Sequence, residues 1–286
     1  EWDPNLTGSV RTLDAVGNVV YVGGAFSSIG GQPRSNIAAI DATTASLTGW
    51  NPNANDWVNS LMVEGDTVFA AGHFTSIGAQ PRNRIAALEV SSGFSTNWDP
   101  NATDVVRALA VSGNTVYVGG DFTTIGGMSR FRIAALNKFS NVATAWDPSV
   151  SNGLTVNSLA VMNNIVYASG DFTVIGGAAR NGLAALDATI NTNSATAWNP
   201  DPNPPSVGVL AALNNTVYVG GDFTTIGGAN RNRLAALDPA LNTNNAKLWN
   251  PNSNGNINAL AASGNAVYAG GIFSASGGQP RLGLAS

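Results

Sequence analysis

The chain has 286 residues, 13 Lys and Arg against 17 Asp and Glu, and a formal net charge of -4. Hydrophobic residues at 44% and charged residues at only 10% exclude a disordered chain and leave enough apolar material for a substantial core. There is no basic field for nucleic acid, no apolar run long enough to cross a bilayer, and no cysteine for a disulfide, a thiolate metal site or a thiol nucleophile.

Taken from the N-terminus, one pattern recurs six times. A Trp-Asp/Asn-Pro triplet begins at Trp2, Trp50, Trp98, Trp146, Trp198 and Trp249. A first strand follows, as at Val106–Val111. A two-residue turn comes next: Gly17-Asn18, Gly65-Asp66, Gly113-Asn114, Asn163-Asn164, Asn214-Asn215 and Gly264-Asn265. Gly and Asn tolerate the positive φ that tight hairpins require. The second strand carries Tyr21, Phe69, Tyr117, Tyr167, Tyr218 or Tyr268. It leads into a loop with Phe26, Phe74, Phe122, Phe172, Phe223 or Phe273, and eight residues later Arg34, Arg82, Arg130, Arg180, Arg231 or Arg281. A third strand is predicted at 37–41, 85–89, 133–137, 183–187 and 234–238, and a weaker fourth segment ends at the next Trp. No stretch has sustained helical periodicity.

Short strands repeated about every 48 residues predict an all-β chain, a six-bladed β-propeller with four-stranded blades, residues 1–286 forming a single domain. The nearly continuous apolar runs suit sheets covered on both faces by neighbouring blades. The last copy stops inside its third strand and the chain opens at the end of a fourth segment. The N-terminal strand is therefore expected to close the sixth blade and remove an exposed edge.

The string Val116-Tyr117-Val118-Gly119-Gly120-Asp121-Phe122-Thr123-Thr124-Ile125-Gly126-Gly127, followed by Arg132-Ile133-Ala134-Ala135-Leu136, resembles the delta-60 repeat family of bacterial β-propellers. Fungal cortical-marker proteins of cell polarity carry similar repeats. The resemblance runs through all six copies. It implies an extracellular location within large modular surface proteins, and it transfers no catalytic residue. The copies depart from one another at one acidic position: Asp121, Asp171 and Asp222 are matched by Ala25, His73 and Ile272.

Candidate chemistry divides into repeated and unrepeated residues. The six repeated arginines invite anion capture, but a residue present in every copy more simply braces every copy, through loop carbonyls or through Asp121, Asp171 or Asp222. The repeated tryptophans could stack sugars, yet read better as packed plugs with bonded indole N–H groups. The aspartates lack the compact spacing of a calcium loop. His73, the single histidine, stands without a Gly-x-Ser-x-Gly elbow or a second metal-binding imidazole. No cofactor, metal or catalytic residue is expected. Function is sought where copies differ: Trp57, outside the repeat; Arg11 and Arg107, where Asn59, Asn157, Gly208 and Asn258 stand elsewhere; and Arg132. If the second-to-third and fourth-to-first loops share a face, that face is the binding face.

The chain begins with Glu1, and its methionines are Met62, Met128 and Met162, so it reads as a processed or excised piece that retains no signal peptide. The Gly-, Asn- and Thr-rich, thiol-free composition suits a secreted or cell-surface protein, of bacterial source by the resemblance. The expected function is a non-enzymatic binding or structural module of a larger surface assembly. It would meet a protein or glycan partner at the loop-decorated face and could assemble with other copies or domains. A lectin-like carbohydrate-binding propeller is the alternative, and a propeller hydrolase or lyase a distant third.

Overall fold

A computed structural model describes residues 3–286, and among them every regular element is a strand. Each repeat folds into three main antiparallel strands in chain order, with a two-residue strand after the middle one that joins the sheet in the first and fourth repeats and pairs in a separate short ribbon in the others. The sheets comprise Leu6–Val16, Val19–Ile29 and Ile37–Asp41; Val58–Glu64, Thr67–Gly72 and Ile85–Glu89; and Val106–Ser112, Thr115–Gly120 and Ile133–Asn137. Three more comprise Val150–Met162, Ile165–Ile175 and Leu183–Asp187; Val207–Leu213, Thr216–Gly221 and Leu234–Leu237; and Asn256–Ser263, Ala266–Ile272 and Leu284–Ala285. The chain divides into two compact units, Glu1–Thr144 and Ala145–Ser286, with three of these sheets in each.

The expected fourth strand is not a strand. It survives as a one-residue bridge to the third strand: Ile40 with Leu47, Leu88 with Ser95, Leu136 with Ala143, Leu186 with Ala195 and Leu237 with Ala246. The reason lies in the next backbone groups along, which the repeated arginine claims. Arg82 Nη2 donates to the Thr96 carbonyl at 2.7 Å, Arg130 Nη2 to Thr144 at 2.7 Å and Arg231 Nη2 to Lys247 at 2.7 Å, while Nη1 of each donates to the residue just before it. Arg34 and Arg180 repeat the pattern. These arginines are struts that brace loop carbonyls, and Arg82 also lies 3.8 Å from Asp99 Oδ2.

Alternation within each strand decides which neighbour a side chain meets. In the first unit, Tyr21, Ile37 and Ala39 of the first repeat pack on Trp50, Val58, Leu61, Phe74 and Leu88 of the second. Ile85 and Ala87 point the other way, onto Trp98, Val106, Leu109 and Phe122 of the third. The second unit repeats the scheme, with Tyr167, Leu183 and Ala185 against Trp198, Val207, Leu210 and Phe223. Both faces of the inner sheets are thus covered, which is why their strands read as continuous apolar runs. Each large side chain so enclosed contributes about 1.5–3 kcal/mol.

The tryptophans are packed as the sequence suggests, and they tie successive repeats together. The indole N–H groups of Trp50, Trp98, Trp146 and Trp198 donate to the carbonyls of Glu89, Asn137, Asp187 and Asp238 at 2.9–3.0 Å. Tyr21 meets Trp50 edge-on with ring centroids 5.1 Å apart, and Phe69 meets Trp98 at 5.3 Å. The sixth repeat departs from this: Trp249 and Tyr268 are exposed. Glu1 and Trp2, on which the closing strand was expected, lie outside the described residues. Pro4 accepts a hydrogen bond from Gly30 N–H at 2.7 Å, as Pro52 and Pro100 do from Gly78 and Gly126.

Candidate functional site

Every first strand carries a bulge at one fixed place. Val106 pairs with Gly120 and Ala108 with Gly119, so Arg107 is skipped; Val10 pairs with Gly24 and Thr12 with Gly23, so Arg11 is skipped. Asn59, Asn157, Gly208 and Asn258 are skipped in the same way. A bulge re-aims its unpaired side chain. It also presses a carbonyl onto the opposite strand: a Cβ at Gly120 would lie 2.2 Å from the Val105 oxygen. The second glycine of the Gly-Gly pair therefore serves its own sheet. The first serves the neighbour, as at Gly220, where a Cβ would meet Ile257 Cγ2 at 2.6 Å.

The loops on either side of this bulge are bonded to each other. His73 N–H donates to the Trp57 carbonyl at 2.8 Å, Asp121 N–H to Val105 at 2.8 Å and Asp222 N–H to Ser206 at 2.9 Å. Asn55 Oδ1 accepts from Thr75 and Ser76 N–H, and Asn254 Oδ1 from Ser274 and Ala275 N–H. The fourth-to-first and second-to-third loops of a repeat thus form one rim.

On the rim of the first unit, three of the unrepeated residues converge. The Arg11 guanidinium lies over the Trp57 ring, 4.3 Å from its centroid. Trp57 is 43% exposed and meets the His73 ring at 5.2 Å and 67°. Arg11 Nη1 donates to Asn59 Oδ1 at 3.3 Å, and Arg84 Nη1 donates to the His73 carbonyl. Burial holds the His73 imidazole below its ordinary range; Asp56 opposes that shift, and Arg107, Arg11 and Arg84 reinforce it. His73 is thus a neutral ring in a field of arginines.

The remaining candidates have different surroundings. Arg107 grips Asp121 with two bonds, Nε to Oδ1 and Nη2 to Oδ2, both 2.8 Å. Arg233 pairs with Asp222 at 3.3 Å. Arg132 is partly buried and sits at φ 69°. The corresponding residues are Asn36, Arg84, Gly182, Arg233 and Gly283, all with φ between 63° and 70°. Sequence reasoning overlooked Arg84 and took His73 for an idle loop residue. The mixture of Arg, Asn and Gly at one repeat position was the available signal, because it marks a left-handed backbone. Among the described residues no group of acidic and histidine side chains is arranged to hold a metal.

Comparison with known proteins adds the fold. Residues 214–240 match a family described as a domain of unknown function (DUF5122) beta-propeller. No curated protein matches significantly. Among solved structures, the computationally designed Ika8 protein superimposes with a TM-score of 0.57 at 17% identity, covering 92% of this chain and 81% of that one. The WD40 domain of Neurospora crassa Pan2 gives 0.60 at 14% identity, covering 91% and 71%. Likeness at such identities carries the fold alone, and that fold is the β-propeller.

Proposed function

We propose that this chain is a non-enzymatic interaction module of a secreted or cell-surface bacterial protein, built from delta-60-type repeats. It would be a six-bladed propeller whose N-terminal segment completes the sixth blade. One observation carries the binding reading: on a rim whose other features recur from repeat to repeat, Arg11, Trp57 and His73 are unrepeated and stacked together. Aromatic and arginine side chains in one exposed patch are the usual anchors of a protein interface. The closure reading draws on the sixth repeat, where Tyr268 is 47% exposed while Tyr21 and Tyr167 are buried, so that its face lacks the tryptophan its counterparts have.

A glycan partner is the second reading, favoured by the exposed Trp57 ring. The Arg11 guanidinium already covers a face of that ring, which disfavours stacking of a neutral sugar. The test is cross-linking of the purified chain to the surface fraction of its source cells, with cross-linked sites mapped by mass spectrometry. Cross-links should concentrate on the rim of the first unit and vanish in Trp57→Ala. That variant should lose under about 1 kcal/mol of stability, since it gives up one exposed cation–π contact. Cross-links spread evenly over the chain, or unchanged in Trp57→Ala, would refute the assignment.

A further inference from the structure

The repeats supply an internal control for the arginine-rich rim. Where a repeat has both a rim arginine and the rim aspartate, the two pair: Arg107 with Asp121 at 2.8 Å, Arg233 with Asp222 at 3.3 Å. In the first repeat, which has Arg11 at the place of Arg107, the aspartate position is Ala25; in the second it is His73, whose carbonyl accepts from Arg84. These two repeats thus have the arginine without the aspartate. Among the described residues, Arg11 and Arg84 have no acidic side chain within ion-pair distance. Asp56 acts on the His73 ring and its Oδ1 accepts the Trp57 N–H at 2.7 Å, but it makes no ion pair with either arginine.

Two features keep these cations in place. Arg11 projects from a bulge and is held against Trp57 and Asn59. Arg84 sits at φ 69°, a conformation that Gly182 and Gly283 adopt freely and that a side-chain-bearing residue holds at a cost of order 1 kcal/mol. Folding alone would favour glycine there, as repeats four and six have it.

We propose that Arg11 and Arg84 form a receptor for carboxylates of an acidic peptide segment, the partner's Asp or Glu side chains entering the places left by the missing rim aspartates. This deepens the interaction-module reading and rests on it. The two-bond grip of Arg107 on Asp121 shows the geometry such a carboxylate would find. The overall charge of -4 gives an acidic peptide no general attraction, so binding must come from this local field.

The test restores the missing acids. Ala25→Asp with His73→Asp copies the arrangement of repeats three and five and supplies intramolecular counter-ions. The probe is an N-acetylated, C-amidated hexa-aspartate peptide, titrated by calorimetry beside its hexa-asparagine equivalent and hexagalacturonate. The wild-type chain should bind hexa-aspartate alone, and the double variant should bind it at least about tenfold more weakly. Ala25→Asn, which adds bulk without charge, should bind as wild type does. Should the double variant misfold, Arg11→Gln and Arg84→Gly give the same reading, each weakening binding about tenfold, with the melting temperature of Arg11→Gln nearly unchanged and that of Arg84→Gly not lowered. Undiminished binding in the double variant or in both arginine variants overturns the proposal, as does equal loss in Ala25→Asn. Binding of hexagalacturonate instead of the peptide would move the site to acidic glycans and overturn it too. If peptide binding fails while Trp57-dependent cross-links persist, the carboxylate receptor falls and the interaction module stands.

Discussion

Arg130 and Arg281 occupy the same repeat position with opposite surroundings. Arg130 is buried and donates to the carbonyls of Ser129 and Thr144. Arg281 is exposed, and among the described residues its side chain donates no hydrogen bond. Truncating the first strands enclosed acceptors, so Arg130→Ala should cost about 1–3 kcal/mol in chemical denaturation while Arg281→Ala is nearly silent. Equal losses would show that the strut does not act through those carbonyls. The strut reading was legible because a residue present in every copy must serve every copy. The tryptophan plugs were legible for the same reason. Arg84 was not, because its column mixes Arg, Asn and Gly, and that mixture acquires a meaning only when the backbone shows φ 69° there.

A partly buried ring and a buried one contribute to the pH limits at this same scale. The unfolded chain protonates His73 in the ordinary histidine range, whereas the folded chain does so only at lower pH. Stability is therefore fully present above the ordinary range and falls as pH drops through it toward the folded value. Burial pushes the Tyr167 phenol up to about 12, so the folded chain keeps its proton where the unfolded chain has lost it. Stability then falls as pH rises from about 10 toward about 12. Melting curves across pH should show both limbs, the acid one flattened in His73→Asn and the alkaline one in Tyr167→Phe. Tyr21 and Tyr117 add to the alkaline limb and Asp41 and Asp187 to the acid one, so a limb left unchanged by its substitution belongs wholly to those groups.

At the level of elements, the three strands of each repeat and their turns follow from local rules. Asn163-Asn164 and Asn214-Asn215 have both residues at positive φ, as a mirror-image hairpin turn requires. The third strands run where the apolar tetrads place them, with Leu234–Leu237 a residue shorter than expected. The fourth segment was over-read as a strand. It makes one bridge to the third strand, and the arginine strut competes for the carbonyl that a longer ladder would use. The bulge was invisible in sequence, because the skipped position is Arg, Asn or Gly and has no composition of its own. Small hydroxyls fix it from the neighbouring repeat: Ser60 Oγ accepts from Leu109 N–H at 3.2 Å and Ser158 Oγ from Leu210 N–H at 3.1 Å.

For the whole molecule, the strongest test is of closure. If Glu1–Pro4 completes the sixth blade, deleting those residues should lower the melting temperature far more than trimming an ordinary terminus. It should also produce associated species in gel filtration, because an open edge invites pairing. A deletion that melts like the parent and stays monomeric would rule closure out. Part of any loss would come from Pro4, whose carbonyl holds the turn at Gly30, so Trp2→Ala in the full-length chain is the sharper companion.

The bulge carries a consequence for how such a chain can change. Its skipped residue contributes no partner to the ladder, so exchanging Arg for Asn or Gly there leaves strand register untouched. The positive-φ rim position also accepts Arg, Asn or Gly, although glycine holds that backbone at the least cost. Recognition can therefore drift one repeat at a time beneath an unaltered scaffold, by single substitutions that leave strand pairing intact. The same independence makes these positions the natural place to graft a new specificity.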